Sequence, residues 1–301
     1  MNNILEILEI IAREGFIYGI LALGIYLSNY ILDFPDLTTE ASFPLGACMT
    51  ACLIINGCDP ILALLIAFIC GGILGIITAI LHTKLKISNI LSSILVLTAG
   101  YSINLIITEG SVLLPFYNKK TIFNVFEFMP NEIYTHRVII ISLFIIIVIK
   151  VLLDLLLKTR IGLLLRAVGN NKKIINTIGE RYDRIIILGL FVSNGLVALS
   201  GSVLSQAVES ANVNLGTGMF VLGLTSVIIG MKIFFKLRIS NTTKVIVGAI
   251  IYKLCLYLAM QIGLPTNLLK LIMSVLLILL IVLNNAFSKE KKIRFIGKET
   301  A

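Results

Sequence analysis

Long apolar runs separated by short polar segments dominate this chain. Seven runs approach the ~20 residues that a helix needs to cross the ~30 Å hydrocarbon layer of a bilayer; they cover residues 16–32, 60–82, 87–108, 138–157, 185–206, 245–263 and 268–284. Two weaker runs, residues 43–56 and 218–235, are short or interrupted by Pro and Gly. The pattern predicts an all-α polytopic membrane bundle of about 8–10 transmembrane helices, nine as the working count, with one or two short or broken spans.

The composition is that of a membrane protein. Apolar residues make up 58% of the 301 residues and charged residues 14%, and the mean hydropathy is +1.02. A soluble domain has about 45–50% apolar and about 25% charged residues. The chain has too few polar side chains to cover a water-exposed surface, which excludes a soluble enzyme, a disordered protein and a disulfide scaffold.

The ends of the chain differ from its apolar middle. In residues 1–15, apolar residues alternate with Glu6, Glu9 and Glu14 at helical spacing, without the basic region and cleavage site of a signal peptide. We predict an amphipathic interfacial helix over residues 1–15, a transmembrane domain over residues 16–286 and a basic cytoplasmic tail over residues 287–301.

Basic residues concentrate in segments that alternating spans place on one side. Residues 158–184 carry seven cations against two acids, and residues 232–244 carry four cations and no acid. The positive-inside rule therefore predicts a cytoplasmic loop over residues 158–184, a cytoplasmic C-terminus and an external loop over residues 109–137. The aromatic residues of that external loop indicate an interfacial lid or, alternatively, a docking surface for an external partner.

One run carries small residues at every fourth position. They are Ala63, Ala67, Gly71, Gly75 and Ala79. A stripe of small side chains lets helix backbones approach closely in lipid. We interpret this stripe as a helix-packing face and assign it no transport chemistry.

Uncharged polar residues are frequent in two of the runs. We select as candidates for a translocation path Ser93, Thr98, Asn104, Ser193, Asn194 and Gln206. Such groups either bond to their own or a neighbouring helix, or line a solute path between the two runs. Both interpretations stay open, and the two interrupted runs could flank such a path.

Chemistry beyond these polar groups is sparse. Lys150 and Asp154 lie four residues apart on one helix face, as a neutralised structural pair or as a proton or ion relay. The chain has no H-E-x-x-H, G-x-S-x-G or P-loop motif. We predict a transporter component that is not an enzyme and has no cofactor or metal site. The net charge of +9 is assigned to the cytoplasmic membrane face, not to nucleic acid.

The basic segment T-R-I-G-L-L-L-R-A-V-G-N-N at residues 159–171 carries more apolar side chains than a solvated loop needs. It resembles the coupling loop of ABC-transporter permeases of the branched-chain amino acid and ribose type. The residues that match the motif are Thr159, Gly162, Arg166, Ala167, Gly169, Asn171 and Gly179. Arg160 and Asn170 belong to the same predicted ATPase-coupling loop.

Further segments resemble the tryptophan/tyrosine-type branch of these permeases. They are L-T-T-E-A-S-F-P-L-G-A at residues 37–47, S-V-I-I-G at residues 226–230 and G-L-P at residues 263–265. The resemblance implies a permease of the bacterial plasma membrane for a small solute such as an amino acid. It also implies cytoplasmic ATPase subunits, an external substrate-binding lipoprotein and a second permease copy, within the lipid bilayer. The alternative is a single-chain secondary transporter or channel that works without an ATPase.

Overall fold

The computed structural model describes residues 2–124, 136–170 and 179–261, and a few separate positions between 268 and 282. The helices are α1 (Asn2–Ile25), α2 (Thr39–Ile55), α3 (Pro60–Thr83), α4 (Asn89–Ile107), α5 (Arg137–Lys158), α6 (Arg160–Asn170), α7 (Tyr182–Val208), α8 (Met219–Ile233) and α9 (Asn241–Gln261). A π-helical turn, Tyr26–Ile31, extends α1, and a 3-10 turn, Val213–Gly216, precedes α8. Two short strands are β1 (Leu113–Pro115) and β2 (Ser210–Asn212).

Seven helical segments within the described ranges are long and apolar enough to cross a membrane when the π-helical turn is counted with α1 and the 3-10 turn with α8, and α2 is a shorter apolar helix. The prediction of an all-α polytopic membrane bundle is confirmed. The two weak runs form α2, which contains Pro44, and α8. The N-terminal segment continues directly into the first span as α1, and its placement at the membrane interface stays a prediction. The last run and the tail over residues 287–301 lie outside the described stretches.

Helix boundaries coincide with local capping signals. The carboxylate of Asp59 accepts the backbone N–H of Ile61 at 2.8 Å at the start of α3, and Pro60 occupies the first helical position, where no N–H is needed. Gly218, with φ of +89°, turns the chain into α8 in a conformation that favours glycine.

α7 forms the centre of the bundle, in contact with α1, α2, α3 and α6. Of the most apolar stretch of α7, 72% is buried within the chain, against 22% for the corresponding stretch of α5. α5 is also the most apolar of the seven spans. The inner helix is therefore the more polar one, and the outer helix has the surface suited to lipid.

The turns that are rich in Lys and Arg gather at one end of the bundle. This basic end comprises the α3–α4 turn, the α5–α6 junction, the start of α7 and the α8–α9 turn. Lys84 Nζ lies 2.9 Å from Asp183 Oδ2 there, which joins the α3–α4 turn to α7. This ion pair joins two segments that are about a hundred residues apart in the sequence. Alternating spans place both segments on the same side of the membrane.

The opposite end is covered by the segment after α4. β1 pairs with β2 in an antiparallel ribbon, with Leu113 opposite Asn212. Phe116 and Phe123, which belong to this segment, are buried. Residues 109–124 therefore form a cap on this end of the bundle, and residues 125–135 of the predicted external loop lie outside the described chain.

Candidate functional site

The predicted coupling loop forms a separate helix, α6, at the basic end. Thr159 has an extended backbone, and its hydroxyl oxygen accepts the N–H of Gly162 at 3.4 Å, so it begins α6 directly after α5. A Cβ atom at Gly162 would meet the backbone of Leu156 and Leu157. The T-x-x-G spacing thus provides a cap and a close backbone approach.

α6 has one face packed against the bundle. Leu165 and Val168 are buried, and Leu165 reaches Gly189 of α7. The backbone of Gly169 lies against the carbonyl of Ile31 so closely that a Cβ atom there would collide with it. α6 is therefore in direct contact with the end of α1.

The other face of α6 is exposed. Leu163 is 60% and Ile161 43% exposed, and Arg160 and Arg166 are exposed beside them. These four residues are called the α6 surface below. An exposed apolar patch flanked by guanidinium groups suits a protein partner with apolar and acidic groups.

The remaining residues of the predicted coupling loop surround the α6 surface. Ala167 is half-buried and Asn170 is exposed. Arg160 is paired with Glu180 at 2.5 Å, next to Gly179, whose φ is +77°. Asn171 lies outside the described residues.

Three residues of the predicted translocation path on α7 are buried in contacts between helices. Ser193 Oγ donates to the carbonyl of Gly24 at 2.8 Å. Gln206 Nε2 donates to the carbonyl of Pro60 at 3.3 Å, and its Oε1 accepts the N–H of Ile122 at 2.9 Å. Together with Asn194, these side chains hold α7 to its neighbours.

Asn194 belongs to a polar cluster inside the bundle. Its Nδ2 donates to Asp36 Oδ2 at 2.6 Å, and its Oδ1 accepts from Ser42 Oγ at 2.8 Å. Asp36 Oδ1 also accepts the N–H of Thr38 at 2.9 Å, in a turn that starts α2. Asp36 and Thr38 are fully buried, so α2 begins inside the bundle and not at its surface.

α2 is in close contact with α7 along its length. A Cβ atom at Gly46 would collide with the carbonyl of Ala198, and one at Gly201 with the carbonyl of Phe43. α2 also contacts α4, so it lies between the two helices that carry the predicted path residues.

The small-residue stripe lies on the face of α3 that packs against α7. All its members are buried: Ala63, Ala67, Gly71, Gly75 and Ala79. A Cβ atom at Gly71 would meet Ala198, and one at Gly75 the carbonyl of Leu190. The absence of side chains at these two positions lets the two helix backbones touch.

A cavity of about 370 Å³ lies between α2, α4 and the 3-10 turn before α8. This α2–α4 cavity is lined by Glu40, Ala41, Pro44, Leu97, Thr98, Tyr101, Asn104, Val213, Asn214 and Thr217. Its size and its mixed apolar and polar walls suit a small organic molecule. Two of the predicted path residues, Thr98 and Asn104, lie in its walls. Ser93 does not; its hydroxyl donates to the carbonyl of Asn89 in α4.

Sequence reasoning did not select Glu40, Tyr101 or Asp36 as site residues. In the sequence, Asp36 and Glu40 are acids of the polar segment between two apolar runs. Asp36 precedes Thr38, Thr39 and Glu40 in the D-x-T-T-E order that is typical of a helix start, which was the available signal for its role.

Lys150 and Asp154 form an ion pair at 3.1 Å. Asp154 Oδ1 also accepts from Thr242 Oγ1 at 2.6 Å, which joins α5 to α9. Both oxygens of the carboxylate therefore have structural partners. Among the described residues, no group of three or more His, Cys, Asp or Glu side chains is placed to hold a metal ion.

Asn at position 154 is expected to leave the bundle folded and solute uptake unchanged. The amide oxygen can still accept from Thr242, and Lys150 lies near enough to the basic end of the bundle for its long side chain to carry the ammonium group to water. The measurement is the thermal midpoint of the purified variant together with uptake from pH 5.5 to pH 8. Loss of uptake, or an altered pH profile in a folded Asp154→Asn protein, would instead support the relay.

The chain matches one family model and known transport permeases over most of its length. The family model described as "Branched-chain amino acid transport system / permease component" matches residues 7–282. The tyrosine transport system permease protein of Clostridioides difficile is 41% identical over 293 residues, covering 97% of this chain and 95% of that protein. An uncharacterized protein of Rickettsia prowazekii is 32% identical, covering 92% and 96% of the two chains. The ribose import permease protein RbsC of Bacillus subtilis is 27% identical over 231 residues, covering 76% and 68%.

Proposed function

Since this chain belongs to the branched-chain amino acid transport system permease component family of ABC importers, we propose that it forms the path of an amino acid or related small compound across the bacterial plasma membrane, driven by separate ATPase subunits. The tyrosine transport permease among its relatives supports an amino acid as the solute. In this proposal the basic end faces the cytoplasm, as the positive-inside rule expects.

The α6 surface carries the proposal. It is a short helix outside the spans, apolar and basic on its exposed face and docked on the bundle through Leu165 and Gly169. We assign it to the contact with an ATPase subunit whose surface offers an apolar groove with acidic residues at its rim.

A short series of links, one packed contact followed by connected chain, joins α6 to the α2–α4 cavity. Gly169 contacts Ile31, the chain after Ile31 leads to Asp36, and Asp36 starts α2, which carries Glu40 into the cavity wall. Closure of the ATPase subunits would displace α6 and shift this series between two packed arrangements, which would expose the path alternately to the two sides.

The other proposed partners bind elsewhere on the chain. An external substrate-binding lipoprotein would deliver the solute at the end capped by residues 109–124, and a second permease copy would complete the path. Because the cap carries buried Phe116 and Phe123, it offers an ordered surface for this delivery.

The proposal predicts that Leu163→Asp combined with Arg166→Glu abolishes coupling. An acid in the apolar patch and a reversed charge beside it would repel an acidic rim, so ATPase subunits should no longer copurify and uptake should fall at least about tenfold. Both side chains are exposed, so the fold should persist. The measurements are the stoichiometry of copurified ATPase and ATP-dependent uptake in cells that contain all components.

Leu237→Asp provides the matched control, because Leu237 is an exposed apolar residue of the basic end that lies outside α6. This variant should retain ATPase binding and at least half of the uptake. Unchanged uptake in the α6 double variant, or uptake by the purified permease without any ATPase, would refute the proposed function.

A further inference from the structure

We propose that the α8–α9 turn at the basic end of the bundle binds the phosphate headgroup of an anionic phospholipid, with Lys232, Lys236 and Arg238 as its cationic contacts. These three residues are called the turn cations below. The inference goes beyond the proposed function, because it concerns the bilayer around the permease and neither the solute nor the ATPase. It commits to a negatively charged diacyl lipid in the leaflet that the basic end faces.

The α8–α9 turn lies at the edge of the membrane-spanning region. α8 ends at Ile233 and α9 begins at Asn241, so the residues between them form a short connection. Thr242 donates to Asp154 Oδ1 at 2.6 Å, which places the start of α9 beside the end of α5. Among the seven candidate spans, α5 has the smallest share buried within the chain. The turn therefore lies at the bilayer boundary next to the helix with the most lipid-suited surface.

The positive charge of the turn lacks a counter-charge in the described part of the chain. Residues 232–244 contain no acid. All three turn cations are exposed, and none of them forms an ion pair with another described residue. Elsewhere at the same end, Arg160 is paired with Glu180 and Lys84 with Asp183. Anionic lipid phosphates at the bilayer boundary attract each nearby Lys or Arg, so they can supply the missing charge.

Exposed aliphatic side chains are interspersed with the turn cations. Ile233 is 58%, Leu237 52% and Ile239 40% exposed, and each is adjacent in sequence to at least one turn cation. At a membrane interface, aliphatic side chains enter the acyl boundary while neighbouring cations stay at the level of the phosphates. A free phosphate ion has no acyl chain to cover these side chains. A phospholipid therefore matches both kinds of group in the turn.

Close packing of α8 against α9 keeps the turn at this level. A Cβ atom at Gly230 would collide with the carbonyl of Lys244, and one at Gly248 with the carbonyl of Ser226. The backbones of the two helices therefore touch next to the turn. Since both helices end there, the turn stays at the membrane boundary, whereas α6 is a separate helix that follows the end of α5. This difference favours lipid at the turn and the ATPase at α6.

The test compares two lipids with identical acyl chains, dioleoylphosphatidylglycerol and dioleoylphosphatidylcholine. Only the first carries a net negative charge. Native mass spectrometry of the purified full-length permease in detergent gives the affinity for the first lipid bound. The phosphatidylglycerol should bind at least about tenfold more tightly than the phosphatidylcholine. Because the turn cations are exposed, this preference should shrink when the ammonium acetate concentration is raised about tenfold.

Matched double variants assign the site. Lys236→Gln combined with Arg238→Gln should weaken phosphatidylglycerol binding at least about tenfold and leave phosphatidylcholine binding unchanged. Lys119→Gln combined with Lys120→Gln removes two exposed cations from the opposite end and should leave both affinities within about twofold. If the first double variant fails to fold, Lys232→Gln alone should weaken phosphatidylglycerol binding about fivefold.

The site is refuted if both lipids bind equally well, if folded turn variants bind phosphatidylglycerol normally, or if the control double variant loses as much affinity as the turn variant. Displacement of the lipid by inorganic phosphate at matched ionic strength would also refute it. Copurification of ATPase subunits is measured in parallel. Its loss in a turn variant that binds lipid normally would assign the turn to the ATPase. Charge-selective lipid binding by a permease that binds no ATPase would reject the proposed importer and support the lipid site.

Discussion

Replacing Gly46 by valine is expected to prevent the bundle from folding normally. The Cβ atom would collide with the carbonyl of Ala198 on α7, and both helices are packed on their other sides, so neither backbone can move away. Overpacking of a core costs about 1–3 kcal/mol where side chains can rearrange. Here the obstacle is the backbone, which cannot rearrange as a side chain can, so the free energy of unfolding should fall by more than about 3 kcal/mol. We expect a thermal midpoint lowered by about 10 °C or more, or no monodisperse protein at all.

Cys52→Val is the matched control, because it introduces the same side chain on the same helix at a half-buried position. It should keep the elution profile and thermal midpoint of the unaltered protein within a few degrees. A Gly46→Val protein with normal stability would show that α2 does not lie against α7 as described.

Removing the carboxylate of Asp36 should have the second-largest effect. In Asp36→Ala the N–H of Thr38 and the Nδ2 of Asn194 lose an acceptor inside the bundle, where water cannot replace it. Each buried group left without its partner costs about 1–3 kcal/mol. The thermal midpoint of the purified protein should therefore fall by about 6–12 °C.

Asp59→Ala is the control that distinguishes the effect of burial from the effect of losing a helix cap. Asp59 also accepts backbone N–H groups at a helix start, but it is exposed. Loss of such a cap costs about 1 kcal/mol, so the thermal midpoint should fall by only about 2–4 °C. If both variants lose the same few degrees, the interior position of Asp36 is wrong.

The spans and the family were predictable from the sequence. Bilayer thickness fixes the length of an apolar run, so the helices from α3 to α9 could be located from hydropathy, apart from the short helix α6. The motif at residues 159–171 located α6 by its Thr, Gly and Arg spacing. The resemblance to ABC permeases of the branched-chain amino acid and ribose type is confirmed by the family match and the relatives.

The interior of the bundle was less predictable. A polar segment between two spans looks the same in the sequence whether it stays at the surface or enters the bundle, so Asp36 resembled an ordinary loop acid. The hydroxyl of Ser193 could equally have lined a path or bonded a neighbouring helix, because both require a polar residue in an apolar run. Only the position of Gly24 opposite it distinguishes the two.

The ribbon of β1 and β2 and the α2–α4 cavity had no sequence signal. Strands of three residues are too short for periodicity, and their pairing joins segments almost a hundred residues apart. The cavity combines α2, α4 and the turn before α8, and the depth of α2 decides which residues meet there. The roles of the predicted path residues and of the coupling loop stay predictions.

The contact between Gly169 and Ile31 has a mechanical consequence. Where helices meet through long side chains, changes of rotamer can absorb a small displacement of one helix. At this junction main chain rests on main chain, and no side chain lies between the two residues. Rotamer changes therefore cannot absorb a displacement of α6 at this contact, and such a displacement would act directly on the last turn of the first helix.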